Sequence, residues 1–456
     1  MTHSVSSASL LQALTSGGDH RIALDSGSGR NRYLCPALPT LEMACVASCT
    51  ASPISAAGLR AAALCADRLG DRPSAARLAD EAQAIAAAII AHFGVADLAE
   101  ALLTPSGTDA ALLATALLAA ERPGKAFETI MCEEAENGSF MNRAASGCHF
   151  ATPAMGALHG MPDHLAAQTV KLRQPDGLPR NEDSLRTALR AAVLATRVRP
   201  IIHLMDCSKT GLAMPMPAGE VCDVVVDACQ ARLDAGQMRR YLSRGWPVLL
   251  TGSKFYGGPA FSGAVLFPRD RLAAIRPADV PRGIHDHAGM GTALLPASPH
   301  PGMLLRWQAA LAEMALFANL PIAAQSARIA ALAATIEMHA AAVPGLMPIR
   351  GASRPTIFAF GISDPHSPGH LLSKDALGPL YRDLAAAGVL VGQPVTIGEG
   401  SGALRVAIGA RMVTDEAAHA TVATVFAGLA RLTEKHGPTL SRNCPTSGRM
   451  AAAMAP

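Results

Sequence analysis

A short set of residues in the middle of the chain has the types and spacing for chemistry on a carbonyl compound. Asp227 ends the apolar run VCDVVVD, Gln230 follows three residues later, and Lys254 stands 27 residues beyond the acid in TGSKFYGGPAFSG. A carboxylate at the end of a buried run needs a cationic partner or strong donors. A lysine amine shielded from water is a nucleophile for carbonyl carbon. Upstream, LLTPSGTDAALLATA passes from an apolar stretch through Pro105-Ser106-Gly107 into an alanine and leucine helix. Free backbone N–H groups and the positive helix end converge there, which suits a phosphate, and the hydroxyls of Ser106 and Thr108 are further donors. Each feature also has a plainer explanation: Asp227 as an N-cap, Lys254 as a surface lysine in a hairpin, PSGT as a capped helix start. A Walker loop does not fit, because GSKFYGG has the wrong order and leads into a strand-like run.

Taken together the features are more specific. A phosphate cup, an acid for a pyridinium nitrogen and an amine for an aldehyde are what pyridoxal 5'-phosphate requires. The stretches PSGTDA, VVVDACQ and TGSKFYGGPAFSG resemble the class V aminotransferase and cysteine desulfurase branch of fold-type I pyridoxal-phosphate enzymes, over roughly residues 70–435. The resemblance implies that Lys254 forms the Schiff base and Asp227 keeps the ring nitrogen protonated. It implies that Gln230 bonds the phenolate oxygen and that Gly107, Thr108, Thr251 and Ser253 contact the phosphate. Asp206 and Ser208, in IIHLMDCSKTGLAMP, correspond more loosely to contacts with the ring oxygen or substrate. Arg405, in SGALRVAIGARMV, corresponds to the arginine that receives the substrate α-carboxylate, a role for which a planar fork is suited. Thr292 corresponds to a residue that reaches a neighbouring subunit's phosphate.

The departures matter too. Where relatives stack a histidine or aromatic on the ring, this chain has CEEAENGSFMN, so Glu136 or Asn137 is expected there. Cysteine desulfurases carry a loop cysteine shortly before the carboxylate arginine, but VLVGQPVTIGEGSGALR holds no thiol, which disfavours persulfide chemistry. Transamination is the expected reaction, with an amino acid as substrate. A lyase or decarboxylase on the same fold, or a cofactor-binding homologue without turnover, are the alternatives. A nicotinamide-dependent dehydrogenase would need G-x-G-x-x-G after an early strand, and none is found. No metal site is expected: Cys45 and Cys49 lack a second ligand pair, and His285-Asp286-His287 lacks a third ligand at clear spacing.

The elements that must position these groups alternate. Strand candidates at 98–104, 126–132, 166–172, 200–206, 221–227, 247–252 and 263–267 are apolar throughout, and helical patterns such as 74–94 and 183–196 lie among them. Such strands predict a mostly parallel seven-stranded sheet covered on both faces, an α/β large domain at 73–320. Residues 321–435 read as a smaller α+β domain, 1–72 as an arm joined to it, and 436–456 as a loose tail.

Composition sets the outer bounds. Of 456 residues half are hydrophobic and 16% charged, with a net charge of +3 and scattered basic residues. That predicts a chain that folds unaided and binds neither nucleic acid nor an anionic membrane. The ten cysteines lie mostly in apolar stretches and are expected to be reduced. The first twenty residues lack the pattern of a secretory signal, so a cytoplasmic protein is expected. The resemblance adds a homodimer.

Overall fold

The computed structural model describes residues 7–436 except 41–42, 149, 151–167, 220, 282, 290–291, 293, 296–298, 350, 352–355, 366 and 368. A two-residue strand β1 (Ala44–Cys45) lies in the N-terminal arm. The main sheet is built from β2 (Ala99–Thr104), β3 (Thr129–Cys132), β4 (Gln168–Val170), β5 (Ile201–Met205), β6 (Asp223–Asp227), β7 (Val248–Thr251) and β8 (Gly263–Pro268). Its order is β2-β8-β7-β6-β5-β3-β4, and β8 alone runs against the others. Every residue of β3, β5, β6, β7 and β8 is buried, as expected of strands covered on both faces. The seven-stranded, mostly parallel α/β sheet is thus the one expected from the sequence.

On one face lies the helix Gly107–Ala120, buried on nearly all sides. On the other lies the helix Ala75–Phe93, capped by Ser74 and closed by Gly94 at φ 63°. A second sheet follows from β9 (Leu346–Ile349) and β10 (Ile357–Ile362), with the short β11 (Val389–Leu390) preceding β12 (Gly392–Ile397) and β13 (Ser401–Ala407). It is antiparallel in the order β12-β13-β10-β9, while β11 pairs with β1 and so ties the arm to this unit. Its core runs from Ile336 through Phe360 and Leu404 to Phe426. The stretch after residue 390, read as a loop, is therefore a strand pair turned at Gly398 (φ 57°) and Gly400 (φ 81°).

The arm also departs from expectation. Residues Ala56–Leu69 form a helix with a Ser55 cap, where only short elements were expected. Small residues let it approach the helix Pro301–Ala318: a Cβ on Gly58 would stand 3.2 Å from Ala309 Cβ. The tail at 437–456 lies outside the described residues. Among the described residues no single helix is long and apolar enough to cross a membrane.

The glycines after Lys254 serve packing. A Cβ on Gly258 would meet Ala310 Cβ at 2.6 Å and the Gly252 carbonyl at 2.9 Å. Trp307 donates from Nε1 to the Gly263 carbonyl at 3.0 Å, and Arg306 donates from Nε to that of Phe261 at 3.0 Å. The loop that carries Lys254 toward β8 is thereby pressed onto the helix Pro301–Ala318. We predict that Gly258→Ala lowers stability by about 1–3 kcal/mol through overpacking, read as a lowered urea midpoint; an unchanged midpoint would mean that this contact yields freely.

A buried histidine and a half-buried one set a pH dependence. His203 lies 3.0 Å from Thr115 Oγ1 and is pulled down to about 3 by burial. His92 lies 2.9 Å from the Tyr256 hydroxyl and is pulled down to about 4. Unfolded imidazole titrates near ~6.5, so the unfolded chain takes up protons first as pH falls. Stability should be level above about pH 6.5 and fall below it, by up to ~1.4 kcal/mol per pH unit for each histidine. Denaturation midpoints at pH 7, 6 and 5 should show a shallower slope in His203→Asn; identical slopes would contradict a buried neutral imidazole.

Candidate active site

Parallel strands that are apolar throughout leave their polar residues at the strand ends, and here the carboxyl ends open onto a cavity of about 190 Å³. Its floor comes from β6, β7 and the start of the helix Gly107–Ala120, and its roof from the arm and from β12 and β13. Asp227, the last residue of β6, and Lys254, in the turn after β7, both line it. Asp227 is buried, and its Oδ1 accepts the Cys229 N–H at 3.0 Å. Among the described residues the Lys254 amine has no hydrogen bond or ion pair.

The helix end forms part of the same wall. Ser106 caps it by accepting the Asp109 N–H, which leaves the N–H groups of Gly107 and Thr108 without partners inside the helix. A Cβ on Gly107 would stand 2.8 Å from Cys229 Sγ and 3.2 Å from Thr251 Cγ2, so the floor admits only glycine without displacement. The Ser106 hydroxyl, expected to serve as a donor to the cavity, is engaged: it donates to Asp109 Oδ2 at 2.5 Å. Asp109 Oδ1 is in turn 2.7 Å from His287 Nδ1, both buried, so the histidine first weighed as a metal ligand closes a Ser106–Asp109–His287 chain behind the helix start. The Thr251 hydroxyl donates to the Cys229 carbonyl at 2.7 Å, while Ser253 lines the cavity.

Gln230 lines the cavity and donates from Nε2 to the Cys49 carbonyl at 3.2 Å, leaving its buried Oε1 without a donor among the described residues. Arg405 also lines it, 3% exposed. Its Nε and Nη2 donate to the Gln393 carbonyl at 3.0 and 2.9 Å, Nη2 also to Thr50 Oγ1 at 2.8 Å, and Nη1 to the Lys209 carbonyl at 3.3 Å. One Nη1 hydrogen is left over, so the guanidinium meets the cavity as a braced cation with a single N–H rather than a free fork.

Other expectations are corrected. Asp206 and Ser208 do not line the cavity. Asp206 follows the last residue of β5 and accepts from the Tyr241 hydroxyl at 2.8 Å. Ser208 donates to Glu136 Oε2 at 2.6 Å. Glu136, expected to stand over a ring, is buried with its carboxylate held by Arg173 Nε at 2.6 Å, by Ser208 and by the Thr210 hydroxyl at 2.7 Å. A carboxylate so held braces loops and does not stack. Asn137 remains at that wall, its Oδ1 accepting the Gly138 N–H at 2.8 Å. Thr292, whose expected contact is with a neighbouring subunit's phosphate and not with this cavity, accepts the Leu295 N–H at 2.9 Å.

Sequence reasoning missed Arg21, Lys209 and the thiols of Cys49 and Cys207, all of which line the cavity. Lys209 lay inside a quoted stretch, but in an irregular loop no period tells which side chains face inward. Cys229, also in the wall, has its thiol pushed well up by burial and then by Asp227, so it stays protonated.

No protein-family model matches the sequence, and no curated protein matches it. Solved structures do match the fold. The cysteine desulfurase CsdA from Escherichia coli is similar at 17% identity, with 86% of this chain and 95% of that chain covered and a TM-score of 0.57. The glutamate decarboxylase domain of a transaminase–decarboxylase protein from Vibrio parahaemolyticus is similar at 14%, covering 85% and 81%, with a TM-score of 0.56. A serine palmitoyltransferase from S. paucimobilis with bound PLP is similar at 14%, covering 96% and 93%, with a TM-score of 0.54. The fold is that of fold-type I enzymes, as the resemblance in the motifs implied.

We predict that Glu136→Ala, which strands the buried Arg173 guanidinium, costs about 3–5 kcal/mol. Replacing both residues by apolar ones should recover much of it. A loss below about 1 kcal/mol in chemical denaturation would mean that water replaces the carboxylate.

Proposed function

Taking the chain fold as the premise, we propose that this protein is a pyridoxal-phosphate-dependent enzyme acting on an amino acid, and that the reaction is transamination. The observation that carries this reading is that Asp227 and Lys254 open into one cavity beside a helix N-terminus floored by Gly107. The cavity suits the cofactor by its own chemistry: the buried Gln230 Oε1 still wants a polar partner, and a side chain at position 107 would fill the floor that a phosphate needs. Solved relatives that differ in reaction but share the fold support a pyridoxal-phosphate enzyme without choosing the reaction.

When bound, the cofactor supplies an electron sink that makes the substrate Cα–H acidic. The chain's residues do the rest. Asp227, buried at the end of β6, would hold a proton on the cofactor's ring nitrogen. The Gly107 and Thr108 N–H groups, with Ser253, bind the phosphate. Lys254 would hold the cofactor through its amine, and that amine, when free, would take the proton from the substrate Cα. Arg405 binds the α-carboxylate and so fixes which Cα bond is labilised.

After incubation with pyridoxal phosphate and borohydride, peptide mass spectrometry should find the adduct on Lys254 and lose it in Lys254→Ala; an adduct elsewhere would displace Lys254 from the role. A panel of amino acids should release 2-oxo acid with the nitrogen retained. Free ammonia or carbon dioxide as the stoichiometric product would replace transamination by elimination or decarboxylation.

A further inference from the structure

The cavity wall beside Arg405 carries a second cation. Lys209 is half-buried in the loop after β5 and fixed at three points: its N–H donates to the Glu136 carbonyl at 3.0 Å, its carbonyl accepts from Arg405 Nη1 at 3.3 Å, and its Nζ donates to the Glu134 carbonyl at 3.0 Å. The cations that line the cavity are Arg21, Lys209, Lys254 and Arg405, and the acids are Glu136 and Asp227. Arg21 is paired with Asp19 at 2.8 Å, and Glu136 with Arg173 at 2.6 Å. Lys254 and Asp227 are assigned to the cofactor, and Arg405 to one carboxylate. Lys209 is left with a carbonyl and no acid among the described residues. A lysine held in place with its charge uncompensated is a site for an anion.

We propose that Lys209 binds an acidic group on the substrate side chain, so that the substrate is an amino acid carrying a second negative charge beyond its α-carboxylate. This rests on the reading in which Arg405 takes the α-carboxylate. Arg405 Nη1 donates to the main-chain carbonyl of Lys209, so the two side chains issue from adjoining points of one cavity wall. Neutral side chains leave the ammonium unpaired and are disfavoured. The surroundings add a pH signature: burial, then Arg405, Lys254 and Lys374, pull Lys209 down to about 8, against the opposing pull of Glu136.

The test uses protein charged with pyridoxal phosphate and the unreactive probes succinate, glutarate and butyrate, with Kd measured by calorimetry in wild type, Lys209→Gln and Lys209→Arg. Wild type should bind the better dicarboxylate at least about tenfold more tightly than butyrate. Lys209→Gln should erase that preference with butyrate affinity within about twofold, and Lys209→Arg should keep most of it. In wild type the preference should fade as pH rises through about 8, where Lys209 loses its charge and Arg405 does not. Equal affinity of wild type for the two probe classes overturns the inference, as does a Lys209→Gln that weakens both alike. Borohydride labelling is read in the same samples: labelled Lys254 without a dicarboxylate preference sinks this inference alone, whereas unlabelled Lys254 with the preference intact sinks the cofactor reading and leaves the two-cation wall.

Discussion

A buried carboxylate, Glu136, binds three loops at the carboxyl edge of the main sheet. It draws together its own loop after β3, Arg173 from the segment after β4, and Ser208 and Thr210 from the loop after β5. Such a group is stable only when its acceptor sites are filled by charged and hydroxyl donors, and here they are. The loops it joins carry Asn137 and Lys209, so one wall of the cavity inherits its shape from the Glu136–Arg173 pair.

The opposite closure is made by arginines. Arg405, from β13, reaches Thr50 in the arm and the Lys209 carbonyl in the large unit. Arg232, beyond β6, donates to the carbonyls of Thr356 and Ile408 and to Ser48 Oγ. Arg411 donates to the carbonyls of Pro53 and Gly257. Each guanidinium spans two or more segments because its five donors reach in a fixed plane, whereas a lysine would serve one. The site therefore exists only where both sheets and the arm meet. A shift of the smaller unit would change the Arg405 environment first.

Much of this was legible in the sequence, for physical reasons. A strand covered on both faces must be apolar throughout, so Asp227 at the end of VVVD marked the edge of the sheet, and Lys254 marked the exit of the next strand. The cup at Ser106–Thr108 was legible because helix starts have few chemical solutions. Position could not be read where the backbone is irregular. Asp206 and Ser208 flank Cys207, yet Cys207 faces the cavity while Asp206 turns to Tyr241 and Ser208 to Glu136. The glycines after Lys254 permit close backbone approach, and the neighbours they approach are protein atoms: Gly257 lies against Arg411, Gly258 against Ala310 and Gly263 against Ser106. The helix Ala56–Leu69 went unread because its alanines look the same in an arm and in a core.

The fold itself leaves the choice of reaction open, as relatives that desulfurate, decarboxylate and transfer acyl groups demonstrate. What differs among chains of this shape must lie in the groups that fix the substrate relative to the ring, since the bond aligned with the π system is the one that breaks. In this chain the groups proposed for that task are an arginine on β13, braced by the Gln393 carbonyl of β12, and a lysine pinned in the loop beside it. A strand and a loop tied by a buried charge pair hold such positions with little freedom, which is what selectivity on a shared fold requires.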